Sequence, residues 1–316
     1  MMLHSKLTLM ALVAVAVAAA TACKPSGDGS EKDGRKRVVA TTTMIEDLAR
    51  QIGGDDIEVT GIMRPGGDPH LYQPTPGDAR SIAKADLVLT NGLKLEGWID
   101  DLVRNAGGDA KVAVVGDGVA ALKDPLKTNY PDPHFWHDVG LWKTAAANTR
   151  DALVAMDPAH ADGYRSRATA YLAELDALDV WVKERVASLP KNRRTLVTSH
   201  DAFQYFGKAY GFDVIAIQGL STQSEAGAQD LARVVETVRS HEVPAIFVET
   251  SVNPKLIEQV SRETGAKVGG TLFSDSLGGK DGPAGTYVGM IRANVTQVVD
   301  ALGGKTAAAP VDKEKL

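Results

Sequence analysis

The chain has 316 residues, a formal net charge of −5, 44% hydrophobic residues and one cysteine. That length is enough for two separate cores, and the lack of a basic surplus excludes a protein held to nucleic acid by phosphate contacts. A lone cysteine excludes both a disulfide framework and a multi-thiolate metal site.

At the N-terminus, Met1–Lys6 is short and weakly basic, and Leu7–Ala19 is apolar except for Thr8. This run falls short of the roughly 20 residues a bilayer span needs, so it is predicted to be a signal peptide over 1–22. Ala20, Thr21 and Ala22 lead directly to Cys23. That arrangement resembles a bacterial lipoprotein box with Ala20 in the usual Leu position, and its thiol would carry a lipid anchor. The other reading is an ordinary signal peptide that leaves Cys23 free. Residues 23–36 are polar and Gly-rich and are expected to form a flexible tether. No second apolar run is long enough to span a membrane.

From Arg37 short β-branched runs alternate with helical stretches, the pattern of α/β architecture with parallel-type sheets. Over 37–157, strands are predicted at Val38–Thr41, Ile57–Ile62, Asp86–Thr90 and Val112–Val115. Helices fall at Met44–Ile52, Pro76–Lys84 and Trp98–Asn105, and a further one runs to Met156. Asp157-Pro158 reads as a cap and helix start, and Tyr164, Ala168, Leu172, Leu175, Leu178, Trp181, Val182 and Val186 keep an apolar stripe at helical spacing. A long helix over 158–189 is therefore expected as a strut between two α/β lobes, with a coiled-coil or oligomer face as the alternative. The second lobe, 190–303, is predicted to have strands at Thr195–Val197, Asp213–Ile217, Ala245–Val248 and Lys267–Gly269. Its helices are placed at Ala202–Tyr210, Ala226–Ser240, Pro254–Thr264 and Thr286–Leu302, and 304–316 is a tail.

Four short segments end in a metal-type donor: Gly-Asp-Pro-His at His70, Pro-Asp-Pro-His at His134, Val-Thr-Ser-His at His200 and Leu-Phe-Ser-Asp at Asp275. Three imidazoles and a carboxylate suit zinc, and manganese accepts the same atoms less tightly. His70, His200 and Asp275 follow predicted strands, where open α/β sheets place their ligands. His70 and His134 come from the first lobe and His200 and Asp275 from the second, so a bound ion would staple a cleft.

A single His after Pro commonly just fills a turn, but here Asp-Pro-His occurs twice, and Pro stiffens the loop that presents the ring. Asp68 and Asp132 either accept the second ring N–H of a ligating His or cap turns. His137 competes for the ion if Phe135–Asp138 opens the following helix, and otherwise lies behind the site or at the surface. His160 and His241 read as solvent-facing, and His4 leaves with the signal peptide. Glu249, at the end of a strand, either hydrogen-bonds a ligand or caps Ser251.

Five segments in order carry a more specific likeness: residues 67–76 (Gly-Asp-Pro-His-Leu-Tyr-Gln-Pro-Thr-Pro), 91–96 (Asn-Gly-Leu-Lys-Leu-Glu), 132–139 (Asp-Pro-His-Phe-Trp-His-Asp-Val), 198–206 (Thr-Ser-His-Asp-Ala-Phe-Gln-Tyr-Phe) and 273–276 (Phe-Ser-Asp-Ser). From Val38 to Leu302 the chain resembles the metal-binding lipoproteins of bacterial ABC-type zinc and manganese importers, the TroA type most closely. The resemblance implies two α/β lobes bridged by one long helix with limited hinge motion. It places His70, His134, His200 and Asp275 at the family's four ligand positions. Manganese members of that family usually carry Glu where His200 stands, which favours zinc or mixed use. Dedicated zinc members often carry a His-rich acidic loop, whereas Leu122–Tyr130 has no His and only Asp124.

The expected function is capture of Zn2+ or Mn2+ as transported ligand and delivery to an ABC-type permease in the cytoplasmic membrane. The carrier would be a monomer, exported and lipid-anchored at the bacterial envelope, in the periplasm or at the cell surface. It would be no enzyme and would bind no nucleic acid. The competing readings are a zinc-dependent hydrolase with Glu249 as base and a surface adhesin that retains the fold.

Overall fold

The computed structural model describes residues 34–124 and 130–304. Cys23, the expected signal peptide, most of the tether and nearly all of the tail lie outside them. Among the described residues no helix is long and apolar enough to cross a membrane.

The first half builds a four-stranded parallel sheet from β1 (Lys36–Ala40), β2 (Ile57–Gly61), β3 (Leu87–Thr90) and β4 (Lys111–Val114), in the order β2-β1-β3-β4. Central β3 is buried throughout, while edge strand β2 alternates buried and exposed residues, as covering on two faces and on one face respectively require. Along β1 and β3, Val38, Ala40, Leu87 and Leu89 face one core, and Val39 and Val88 face another. The first core takes α1 (Thr43–Gly53); the second lies under α2 (Pro76–Ala83) and α3 (Ile99–Ala106). Each such fully buried aliphatic side chain contributes roughly 1.5–3 kcal/mol. Thr42 caps α1 by accepting from Ile45 N, and Thr75 and Asp78 form a reciprocal capping box with Pro76 in the first turn of α2.

In the second half β5 (Thr195–Thr198) pairs with β6 (Asp213–Ala216), and β7 (Ala245–Glu249) with β8 (Lys267–Leu272), all parallel. The two pairs lie side by side through β5 and β7 but form separate two-stranded sheets, so this half does not repeat the continuous first sheet. Leu196, Phe247 and three aromatic residues of α6 (Gln204–Tyr210) join the same core as Val38; Val197 and Ile246 face a core closed by α7 (Ala228–Ser240) and α8 (Lys255–Thr264). β8 runs three residues beyond the predicted end at Gly269. The Gly269-Gly270 pair makes a bulge opposite Ile246 and Phe247 rather than a stop. A Cβ on Gly269 would come within 2.9 Å of the Phe247 ring.

Between the halves, α4 (Val139–Met156) leads into a 3₁₀ turn at Pro158–His160 and then α5 (Ala161–Ala187). At 27 residues α5 is about 40 Å long, and it packs on α1, α4 and α9 (Tyr287–Ala301). The expected strut is present, with one correction at its start. Asp157 holds the N-cap position of the turn, with Pro158 following, but its side chain makes no capping bond; its carboxylate instead takes the Tyr164 hydroxyl at 2.8 Å and lies 2.6 Å from His160 Nδ1.

Candidate metal centre

His70 lies in the loop after β2, His134 just before the 3₁₀ turn Phe135–His137, His200 two residues after β5, and Asp275 three residues after β8. The fold gathers all four, with one ligand atom of each within 4.8 Å of the others. His70 Nε2 is 3.2 Å from His134 Nε2, and Asp275 reaches His200 Nε2 at 3.3 Å through Oδ2 and His134 Nε2 at 3.7 Å through Oδ1. Ligands about 2.1 Å from a tetrahedral ion are separated by about 3.4 Å, a spacing close to these three contacts. His134, His200 and Asp275 are fully buried and His70 is 9% exposed. His200 Nε2 and Asp275 Oδ1 have no hydrogen-bond partner, although buried polar atoms ordinarily have one.

Outer hydrogen bonds aim the rings. Asp132 Oδ1 accepts from the backbone N–H of His134 at 2.9 Å and from its Nδ1–H at 2.8 Å, leaving the Nε2 lone pair free. Glu249 does the same for His200, accepting its backbone N–H at 2.9 Å through Oε1 and its Nδ1–H through Oε2. Glu249 therefore holds a ring and does not cap Ser251, whose hydroxyl donates to Asp275 Oδ2 at 3.1 Å. Asp68 takes the other of its two readings: Oδ1 caps the turn by accepting His70 N–H at 2.8 Å.

The loop that carries His134 is braced at the carboxyl ends of β1 and β3. Buried Glu96 accepts from the Thr41 hydroxyl and Asn91 N–H, both at 2.6 Å, and Asn91 Nδ2 donates to the Pro133 carbonyl at 3.1 Å. This gives the 91–96 motif its structural role. Leu93 and Lys94 there adopt positive φ, so the Glu96 contacts hold a strained turn.

His137 is neither at the surface nor among the convergent donors. Asp138 caps α4 by accepting from Gly140 and Leu141, so residues 135–137 form a separate turn and the ring is turned towards the second half. It stacks on Phe203 with centroids 4.3 Å apart, and its Nε2 lies 3.0 Å from the Ser274 carbonyl, which also accepts Trp136 Nε1–H at 2.8 Å. The segments bearing His134 and Asp275 are thereby tied together. His137→Ala should cost about 2–4 kcal/mol in urea unfolding of the metal-free protein while metal stoichiometry stays unchanged. A lost metal equivalent would return His137 to the ligand set. His160 is half exposed and His241 is exposed, as the sequence suggests.

Burial pulls His70 down to about 4 and His134 to about 3, so both are neutral and ready to donate lone pairs near pH 7. Burial pushes His200 the same way, but the carboxylates of Glu249 and Asp275 outweigh it and hold the ring well above its ordinary value. Burial would raise Asp275, yet the neighbouring His200, His134 and His70 hold it well below the carboxylate range. Without an ion, a proton on His200 occupies the place of positive charge.

Fold and cluster together define a metal-binding protein of the parallel α/β type. The chain belongs to the family described as zinc-uptake complex component A, periplasmic, which matches residues 38–301. It is 39% identical over 301 residues to the manganese-binding lipoprotein MntA of Bacillus subtilis (strain 168), spanning 93% of this chain and 98% of that one. It is 39% identical over 276 residues to the zinc-binding protein TroA of Treponema pallidum (strain Nichols), spanning 85% and 90% respectively. The solved structure of that periplasmic zinc-binding protein superposes with a TM-score of 0.81 at 38% identity, covering 85% of this chain and 99% of that one. The iron-binding protein YfeA of Yersinia pestis is 35% identical over 297 residues, or 93% of this chain and 95% of that protein.

Sequence reasoning passed over Asn91, Glu96, Ser274 and Trp136 as supports of the site. All four stood in motifs of the resemblance without a stated role. The Ser274 carbonyl carries no side-chain signature at all.

Proposed function

We propose that the chain is the extracytoplasmic solute-binding protein of an ABC-type importer, capturing zinc or manganese between His70, His134, His200 and Asp275. The observation that carries this reading is the convergence of four buried donor groups, among whose atoms His200 Nε2 and Asp275 Oδ1 make no hydrogen bond. The boundaries that fit are a first lobe over 37–157, a bridging helix over 158–189 and a second lobe over 190–303. His70 and His134 then come from one lobe and His200 and Asp275 from the other. The names of the relatives, a manganese-binding lipoprotein, a zinc-binding protein and an iron-binding protein, support a transition-metal cargo and a lipid anchor, which we place at Cys23. Delivery to a cytoplasmic-membrane permease by a monomer completes the reading.

A hydrolase needs an open coordination position and a free base. Both Glu249 oxygens are engaged by His200, which supports a carrier instead. A three-imidazole shell follows the Irving–Williams order and holds zinc more tightly than manganese, so supply decides which ion is carried. Protein purified without added metal should contain about one transition-metal ion per chain by elemental analysis, and zinc should displace manganese in competition. Absence of bound metal, together with no zinc uptake by the stripped protein, would sink the assignment.

A further inference from the structure

Of the four donors, His70 alone is at the edge of open space. It lines a cavity of about 760 Å³ together with residues of the second half that include Gln218, Ser221 and Gln223. His134, His200 and Asp275 do not line it and are fully buried, so an ion entering or leaving through this cavity meets His70 first.

Three hydrogen bonds, each between residues more than 150 positions apart, pin the His70 loop to the second half. Thr222 Oγ1–H donates to Asp68 Oδ2 at 2.6 Å, Gln223 Nε2–H donates to the His70 carbonyl at 2.7 Å, and Gly66 N–H donates to Ser276 Oγ at 2.8 Å. Because Asp68 Oδ1 accepts the His70 N–H, the backbone of His70 is gripped on both sides. Its N–H is reached through Asp68 and Thr222, and its C=O through Gln223. Within the first half, Trp98 Nε1–H holds the Pro69 carbonyl at 3.2 Å and does not reach across. None of these contacts uses the ring, so they position the donor without competing for the ion.

We infer that Thr222 and Gln223 are positioning residues that latch the His70 loop shut and thereby set the rate at which the ion escapes through the cavity. The inference rests on the metal-carrier reading above. With the latch intact, the His70 ring is fixed at the mouth and closes the shell. With it released, the loop swings and the ion loses its outermost ligand while the other three remain in place.

The test uses zinc-loaded full-length protein mixed rapidly with excess chromogenic chelator. The Thr222→Val/Gln223→Ala double variant should release zinc on the order of 30-fold faster than the unsubstituted protein, the lower end of the scale expected for losing one charge-assisted and one ordinary hydrogen bond. Its zinc stoichiometry should not change, and its metal-free melting temperature should fall by only several degrees. Thr222→Ser, which keeps the hydroxyl, should release at the unsubstituted rate. Release within twofold of the unsubstituted protein in the double variant would overturn the latch, as would acceleration in Thr222→Ser equal to that in Thr222→Val. An unsubstituted protein that takes up no zinc would sink the carrier reading itself, whereas a zinc-binding protein with unaltered release sinks only the latch.

Discussion

His200→Ala will lower zinc affinity on the order of a thousandfold, beyond the 10–100-fold that loss of an outer hydrogen-bond partner typically costs. The change removes one of the four convergent donors, and His137 cannot replace it because its ring is committed to the Ser274 carbonyl. Calorimetry or chelator competition measures the loss, and an unchanged affinity would remove His200 from the site. The same substitution should destabilise the metal-free protein by about 3–5 kcal/mol, because Glu249 and Asp275 are left as buried carboxylates with no cation between them. His200 has a raised folded-state pKa, so its contribution is fully present below the unfolded value near 6.5 and is lost as pH rises through the folded value. The stability gap between the two proteins should therefore narrow in alkaline solution. Adding Asp275→Asn to His200→Ala should recover part of the loss without restoring metal binding.

Zinc binding will release protons near neutrality, and affinity will rise with pH by about tenfold per unit for each proton displaced. The ion must expel the proton on His200, which Glu249 and Asp275 retain well above pH 6.5. Asp132, raised by burial to about 7, supplies part of a second proton once His134 ligates beside it. His70 and His134, lowered by burial to about 4 and 3, contribute only in acid. Between one and two protons per zinc should appear at pH 7 when calorimetry is run in buffers of different ionisation heat. Three imidazoles of ordinary pKa would instead give a steep fall in affinity through about pH 6. Observation of that steep fall, or of no proton release, would contradict the electrostatics described above.

The elements were legible because each has an unmixed signal. Runs such as Leu-Val-Leu-Thr at 87–90 read as buried strand, and the stripe from Tyr164 to Val186 reads as one long helix. The misses share a different cause. Gly269-Gly270 looks like an end to a strand, and only the position of Phe247 opposite makes it a bulge. The turn at 135–137 looks continuous with α4 until Asp138 is seen capping that helix. The four donors stood out because Asp-Pro-His repeats within the sequence and the residue types suit a metal. Their partners did not, since a contact such as Thr222 to Asp68 spans 154 positions and leaves no local pattern.

α5 packs on α1 and α9 at once, and a single hydrophobic core runs from Val38 through Leu175 to Leu302. Swinging the two halves widely apart would tear that core and expose its side chains to water, at a cost comparable to unfolding. The frame therefore behaves as a stiff chassis, and the motions left within reach of thermal energy belong to the loops mounted on it. A membrane partner that must extract the cargo has no need to pry the chassis open. It has only to unseat one loop, and the work it performs is set by a handful of polar contacts.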